Sequence, residues 1–350
     1  MMTLKNYLQA CSLFLLGSLI TALSASATVL CVNNSPGSTA PYTDLITAHA
    51  VAQTGDTIYV EGSNTDYGSL TVTKRLVFIG PGYFTAENNC APNSLSAVVD
   101  RFELDRTAAN DANSGAAGTT LLGLNFSVSN LSYVDISVSN VTIAKCYLRG
   151  DVRVQEADVS DLHVIQNYCA SSGVRASSLS PGLNNLVFAN NIVEEDFRLV
   201  DNSTGSIHHN LFLDDRFEVI SFSGEIRSNI ATTTSTNNFT VSVTGSGNLS
   251  HNTAANGQFG TADNNNIAPA NLLLVGPNGN STDGQYQLLP NATQVKNNAH
   301  DGTDRGPFGG NLPYVLSGVP NIPYIETFTT NTPNFPSLPL QVTIQASSGN

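Results

Sequence analysis

The 350-residue chain has no tryptophan, two methionines, and Asp, Glu, Lys and Arg at only 12% of its positions. Positive charge is scarcest, with 14 Lys and Arg against 27 Asp and Glu and a formal net charge of −13. Nucleic acid and anionic membrane surfaces are therefore excluded as partners, because such a surplus of acid repels both. Polyanionic sugars are repelled too, unless a cation bridges them. Past the first 27 residues no stretch approaches the ~18 apolar residues of a membrane-spanning helix. Helical periodicity is also missing from the repeats, which excludes a leucine-rich repeat with a helix in each unit.

What is present is 28 glycines and much Asn, Ser and Thr, arranged with a period. When segments 141–147, 162–168, 186–192 and 207–211, and the weaker 225–230 and 248–253, are superimposed, Cys146, Asn167, Asn191, Asn210, Asn229 and Asn252 share a column. The intervals are 21, 24, 19, 19 and 23 residues. A second column lies some seven residues further on. There Val152, Val174, Phe197, Phe217 and Phe239 are each followed, after one residue, by Val154, Ala176, Leu199, Val219 and Val241. Phe102 with Leu104 and Val134 with Ile136 extend it backwards. Apolar, exposed, apolar describes a strand with one face on a core. An irregular period near ~22 residues describes a solenoid, so the expected fold is an all-β, single-stranded parallel β-helix. Asn suits the turn column because it tolerates left-handed backbone and its amide bonds to the next Asn of a ladder. Cys146 fills one such position as a small buried residue without a catalytic role.

Residues 1–27 read as a signal peptide, with Lys5 the one charge, an apolar run at 13–23 and Ala25-Ser-Ala27 for cleavage. The lipobox-like segment at 8–11 precedes the apolar run, which argues against a lipoprotein. The expected product is secreted, extracellular or at the cell surface. There, Cys31 and Cys90 flank the first coil as candidates for a disulfide. Cys146 and Cys169 are two positions out of register, ~8 Å apart, and are expected to stay reduced. Residues 43–53 predict a short helix with Thr43 as N-cap, followed by short strands within 55–60, 70–72 and 76–82, as a cap over the open end of the solenoid. His49 belongs to that cap and is not read as a ligand. Residues 28–310 form the solenoid with its cap, interrupted by a loop at 105–118 and decaying into irregular turns or a weak last coil at 253–266. Residues 311–350 form a Pro-rich tail with a strand at 338–344, which either packs back along the solenoid or serves as an extended linker.

Together the helix, Gly-Asp-Thr-Ile-Tyr-Val at 55–60, Leu-Val-Phe-Ile-Gly-Pro-Gly at 76–82 and the Asn column resemble the pectate-lyase-like superfamily of right-handed parallel β-helices. More narrowly the chain is similar to secreted β-helix repeat proteins of Gram-negative bacteria. That group closes its last coil with a motif matched by Asp-Arg-Gly-Pro-Phe-Gly-Gly at 304–310, followed by Pro-Tyr-Val-Leu-Ser-Gly at 313–318. The resemblance implies a right-handed fold and a substrate-bearing sheet at the second column.

On that column the outward residues are Glu103, Asp135, Arg153, Arg175, Arg198, Glu218 and Thr240, with Arg101, Asp151, Asp196 and Arg216 one step before their pairs. Two readings compete. In one, these charges form a ladder of ion pairs on a solvated face. In the other, Glu103, Asp135, Asp151, Arg153, Arg175, Asp196, Arg198, Arg216 and Glu218 bind an extended polysaccharide or cell-surface glycan, through stacked charges about 4.8 Å apart. Glu194, Glu195 and Asp196 in one coil with Asp214 and Asp215 in the next bring four or five carboxylates to a turn edge, an oxygen-only cluster suited to Ca²⁺, with Glu195, Asp196, Asp214 and Asp215 as the candidate ligands. By the resemblance, a lyase would use such a cation beside a basic residue, for which Arg175 and Arg198 are the candidates. No lyase or polygalacturonase signature is matched residue by residue, so no catalytic role carries over. His208 and His209 are expected to point oppositely and not to share a metal. The favoured function is a non-catalytic polysaccharide- or surface-binding module. The alternatives are a Ca²⁺-dependent lyase or glycoside hydrolase, and a purely structural or protein-interaction solenoid.

Overall fold

A computed structural model describes residues 27–348 apart from 89–94, 130–131, 172, 177–181, 200–201, 214–215, 235, 245–247, 261–263, 269–273 and 331–341. The export signal expected at 1–27 lies outside these residues except for Ala27, and so does Cys90 of the expected disulfide. The chain is an all-β parallel solenoid of about 8 turns, with parallel strands on three faces. A long sheet runs from Val29–Val32 through Thr57–Val60, Val77–Ile79, Thr120–Leu122, Thr142–Ala144, His163–Ile165, Leu186–Ala189 and Thr204–His208. A narrow sheet of two-residue strands runs from Val98–Val99 through Tyr147–Leu148 and Leu211–Phe212 to Thr253–Ala254. The third face, called the ribbon here, stacks Leu70–Val72, Phe102–Leu104, Val134–Ile136, Val152–Val154 and Val174–Ala176. Phe197–Leu199, Phe217–Arg227 and Phe239–Val243 continue it in parallel pairing, and Phe217–Arg227 is long enough to turn from the ribbon into the long sheet.

The ribbon registers follow the second sequence column: Val152 pairs with Val134 and Val174, and Phe217 with Phe197 and Phe239. Its apolar members enter a single core in which Phe197, Phe212 and Phe217 stack at ring-centroid distances of 4.7 to 5.6 Å. Burial of each such ring stabilises by roughly 1.5–3 kcal/mol. Phe259 covers the end of this stack against Phe217 and Phe239. At the other end helix α1, Leu45–Val51, buries Leu45 and Ala48. Its N-cap is Asp44, whose Oδ1 accepts from Thr47 N at 2.7 Å, and not Thr43 as expected. A carboxylate satisfies the free N–H more strongly than a hydroxyl does. Lys74 Nζ closes the other end by donating to the carbonyls of His49, Ala50 and Ala52.

The Asn column forms a continuous buried ladder. Each side chain accepts from the backbone N–H of the previous member and donates to the next, as in Asn191 Nδ2 to Asn210 Oδ1 at 3.0 Å and Asn210 Nδ2 to Asn229 Oδ1 at 3.0 Å. Asn266 is a further rung that the sequence columns did not include. Cys146 begins the ladder by donating its N–H to Asn167 Oδ1, and burial pushes its thiol up to about 12. Cys146 and Cys169 are both free and buried. The left-handed residue, however, is the one before each ladder member: Lys145, Gln166, Asn190, His209, Ser228, His251 and Asn265 have φ between 53° and 58°. The two roles expected of Asn therefore fall on neighbouring residues. The ladder amide has to face inward to its copies, so the residue beside it takes the strained turn and faces outward.

Those outward residues receive the C-terminal segment, which returns along the whole column as a strap. Asn190 Nδ2 donates to Pro307 O and Gly309 O at 2.9 and 2.7 Å, Gly306 N to Ser228 O at 2.8 Å, and Lys145 Nζ to Asn321 Oδ1 at 2.7 Å. Tyr314 is anchored between Tyr83 Oη at 2.7 Å and Asp283 Oδ2 at 3.2 Å. Beyond the strap, Pro323–Thr330 and Val342–Ser348 pair as an antiparallel hairpin. Of the strand expected at 338–344, residues 338–341 lie outside the described residues.

Candidate ligand-binding ribbon

Register alone brings the predicted site residues onto one face. Thr71, Glu103, Asp135, Arg153 and Arg175 are cross-strand neighbours in that order, and Arg198, Glu218 and Thr240 form the next run. Each guanidinium meets a ribbon carboxylate: Arg101–Glu103 at 3.3 Å, Arg153–Asp135 at 2.7 Å, Arg175–Asp151 at 2.8 Å, Arg198–Glu218 at 2.7 Å and Arg216–Asp196 at 3.4 Å. The Arg153 pair is bidentate, with Nη2 to Oδ2 at 2.8 Å, and Gln155 Nε2 supports the same carboxylate. That hydrogen bond holds the Arg153 guanidinium above its ordinary pKa.

Tyr133 is a ribbon residue that the sequence reading missed. Its ring lies 3.3 Å below the Arg153 guanidinium carbon, and its hydroxyl accepts from Arg101 Nη1 at 2.6 Å, the main cause of the raised Arg101 pKa. The signal was its position one step before Val134, where other repeats carry Arg101, Asp151, Asp196 and Arg216. An aromatic residue at that position breaks the charge pattern that marks the column. Cation–π contact then ties two ion pairs into one unit.

Three open grooves follow the ribbon. The first, ≈ 290 Å³, lies between helix α1 and the sheet and is lined by Ile46, His49, Thr71, Arg101 and Glu103. His49, read as a cap residue, is both cap and groove wall, with Nε2 accepting from Thr73 N at 3.2 Å. The second, ≈ 450 Å³, is lined by Arg149, Asp151, Ser171, Arg175 and Glu195, and the third, ≈ 180 Å³, by Arg198, Arg216, Glu218, Asn237, Asn238 and Thr240. Of the four carboxylates read as a Ca²⁺ set, Glu195 lines the second groove and Asp196 pairs with Arg216. Asp214 and Asp215 lie outside the described residues.

His208 and His209 depart from their expected opposed orientation. His209 has left the strand for the left-handed turn, φ 53°, so strand alternation no longer applies and the two Nδ1 atoms lie 3.1 Å apart. Burial is the main cause that pushes the His209 imidazole down to about 4. Among the described residues no helix is long and apolar enough to cross a membrane.

Fold and ribbon together define a parallel β-solenoid with one charge-paired, grooved face. No protein family, no curated protein and no solved structure matches the chain.

Proposed function

We propose that the protein is an exported, non-catalytic module that binds an extended polysaccharide along the ribbon, and that its ligand is a neutral chain and not a polyuronate. The observation that carries this reading is the ribbon's charge pairing: of the groove-lining guanidiniums, Arg101, Arg175, Arg198 and Arg216 each meet a carboxylate. Such a face offers stacked donors and acceptors to hydroxyl groups with no excess of positive charge to attract carboxylates. The resemblance to pectate-lyase-like β-helices supports the choice of face. A lyase base is poorly served here, since Arg175 and Arg198 donate to carboxylates at 2.8 and 2.7 Å instead of facing an open groove as proton acceptors.

Arg153, Arg175 and Arg198 changed together to Ala are expected to abolish retention on neutral glycans in array or pull-down measurements. The melting temperature should move little, because exposed pairs contribute under about 1 kcal/mol each. Unchanged retention would reduce the ribbon to a solvated face that discourages aggregation. Release of unsaturated products from polyuronates, dependent on Ca²⁺ and lost in Arg198→Ala, would replace the proposal with the lyase reading.

A further inference from the structure

Four of the chain's six histidines gather where the turn column meets the start of the strap. Ring centroids are 5.4 Å apart for His208 and His209, 5.4 Å for His209 and His300, and 6.5 Å for His251 and His300. His209 is 1% exposed, and Gly310 lies against its ring, where a Cβ would come within 3.4 Å. Its Nδ1 is engaged with His208, but Nε2 has only long approaches, 3.5 Å to Thr303 Oγ1 and 3.6 Å to Asp301 Oδ1. A buried ring nitrogen at those lengths is barely satisfied, which is costly unless something else binds it.

His300 and Asp301 are held in front of this nitrogen. Ser228 Oγ accepts from His300 N at 3.0 Å and contacts His300 Nδ1 at 2.9 Å, so Nε2 is the ring nitrogen left over. Thr303 fixes Asp301 through its N–H at 3.1 Å and its hydroxyl at 2.6 Å. One ligand atom from each of His209, His300 and Asp301 lies within 4.8 Å of the others.

We infer that His209 Nε2, His300 and Asp301 form a site for a divalent late-transition metal of the Zn²⁺ type, joining the strap to the turn column. Two imidazoles and a carboxylate are the donor set such ions take, whereas Ca²⁺ prefers oxygen alone. Neighbouring ligands on tetrahedral Zn²⁺ are separated by about 3.4 Å given its bond lengths. The 3.6 Å between His209 Nε2 and Asp301 Oδ1 is already near that value. His300 and Asp301 are exposed, and a small shift of the His300 ring on its Ser228 contact closes the remaining gap, with water completing the coordination. The contacts of His208 on His209 and of Ser228 on His300 occupy the second nitrogen of each ring, as outer-shell partners of metal-bound imidazoles do. The site does not involve the ribbon.

The test uses untagged full-length protein, stripped with chelator and dialysed against Zn²⁺. One equivalent of Zn²⁺ is expected to bind, with excess Ca²⁺ failing to displace it, and Co²⁺ in its place should give visible absorption bands. The double variant His300→Ala, Asp301→Asn alters exposed groups only and should keep the wild-type circular dichroism. Its affinity for Zn²⁺ should fall at least about tenfold, since loss of an outer-shell partner alone costs that much. The ribbon variant should bind Zn²⁺ as the wild type does. Absence of stoichiometric binding by the wild type, or equal affinity in the double variant, would overturn the inference.

Discussion

Arg305→Met is expected to lower stability by about 2–4 kcal/mol, from buried and half-buried acceptors that lose the guanidinium donor at about 1–3 kcal/mol for each one left unpaired. The Arg305 side chain is 1% exposed and is the largest fully buried one among the described residues. Its guanidinium donates to the carbonyls of Asn298 at 2.7 Å, Asn252 at 2.9 Å and Asn265 at 2.9 Å, and to Thr253 Oγ1 at 3.3 Å. These acceptors lie at the final coil, where Asn252 O also accepts from Ile267 N at 2.9 Å. Burial lowers the Arg305 pKa to about 10, which measures the cost of holding a cation there. Methionine removes that cost, and replacement of buried ions by apolar groups is often neutral on that account. Here the partners are fixed backbone oxygens that cannot be replaced along with it, so their desolvation outweighs the relief. Arg305→Lys should recover only part of the loss, because a point donor cannot span a planar fork. Thermal melts and limited proteolysis of the strap read both effects. A change of less than about 1 kcal/mol in Arg305→Met would show that water replaces the guanidinium, since exposed substitutions fall in that range.

Asn210→Ala is expected to cost about 3 kcal/mol or more, from several buried groups left unpaired at about 1–3 kcal/mol each. For a domain of this size that lowers the melting temperature by about 5 °C or more. Asn210 is fully buried, accepts from Asn191 N at 2.9 Å and Asn191 Nδ2 at 3.0 Å, and donates to Phe188 O at 2.8 Å and Asn229 Oδ1 at 3.0 Å. Truncation therefore interrupts two rungs at once and leaves a small void. Cys146→Ala is the internal comparison. Cys146 sits at the end of the same column, but there it is the backbone N–H that bonds to Asn167 Oδ1 at 2.9 Å, a contact the substitution keeps. It should cost under about 1.5 kcal/mol, mainly for the lost sulfur. Equal melting temperatures for the two variants would mean that the ladder contributes packing and no hydrogen-bond energy.

The two sequence columns were legible for the same reason that these substitutions matter. In a solenoid each residue packs on its own copy one turn away, so a local pattern repeated along the chain is itself a tertiary contact map. The alternation at Val152 and Val154 dictated which face was buried, and the period dictated that Arg153 would stand between Asp135 and Arg175. Which charges would pair was not dictated. Arg175 turns to Asp151 and Arg153 to Asp135, a choice made by side-chain reach and by the Tyr133 ring beneath Arg153.

By itself the sequence determined the repeating fold, its core and the composition of the ribbon, because those depend on interactions between equivalent positions. Only the tertiary structure decided the left-handed residue of each turn, the path of the strap and the grouping of His209 with His300 and Asp301. The strap contacts join residues such as Lys145 and Asn321, 176 positions apart, that share no repeat. No period encodes such a contact, since it arises from a non-repeating segment fitting donors and acceptors that the turns leave facing outward.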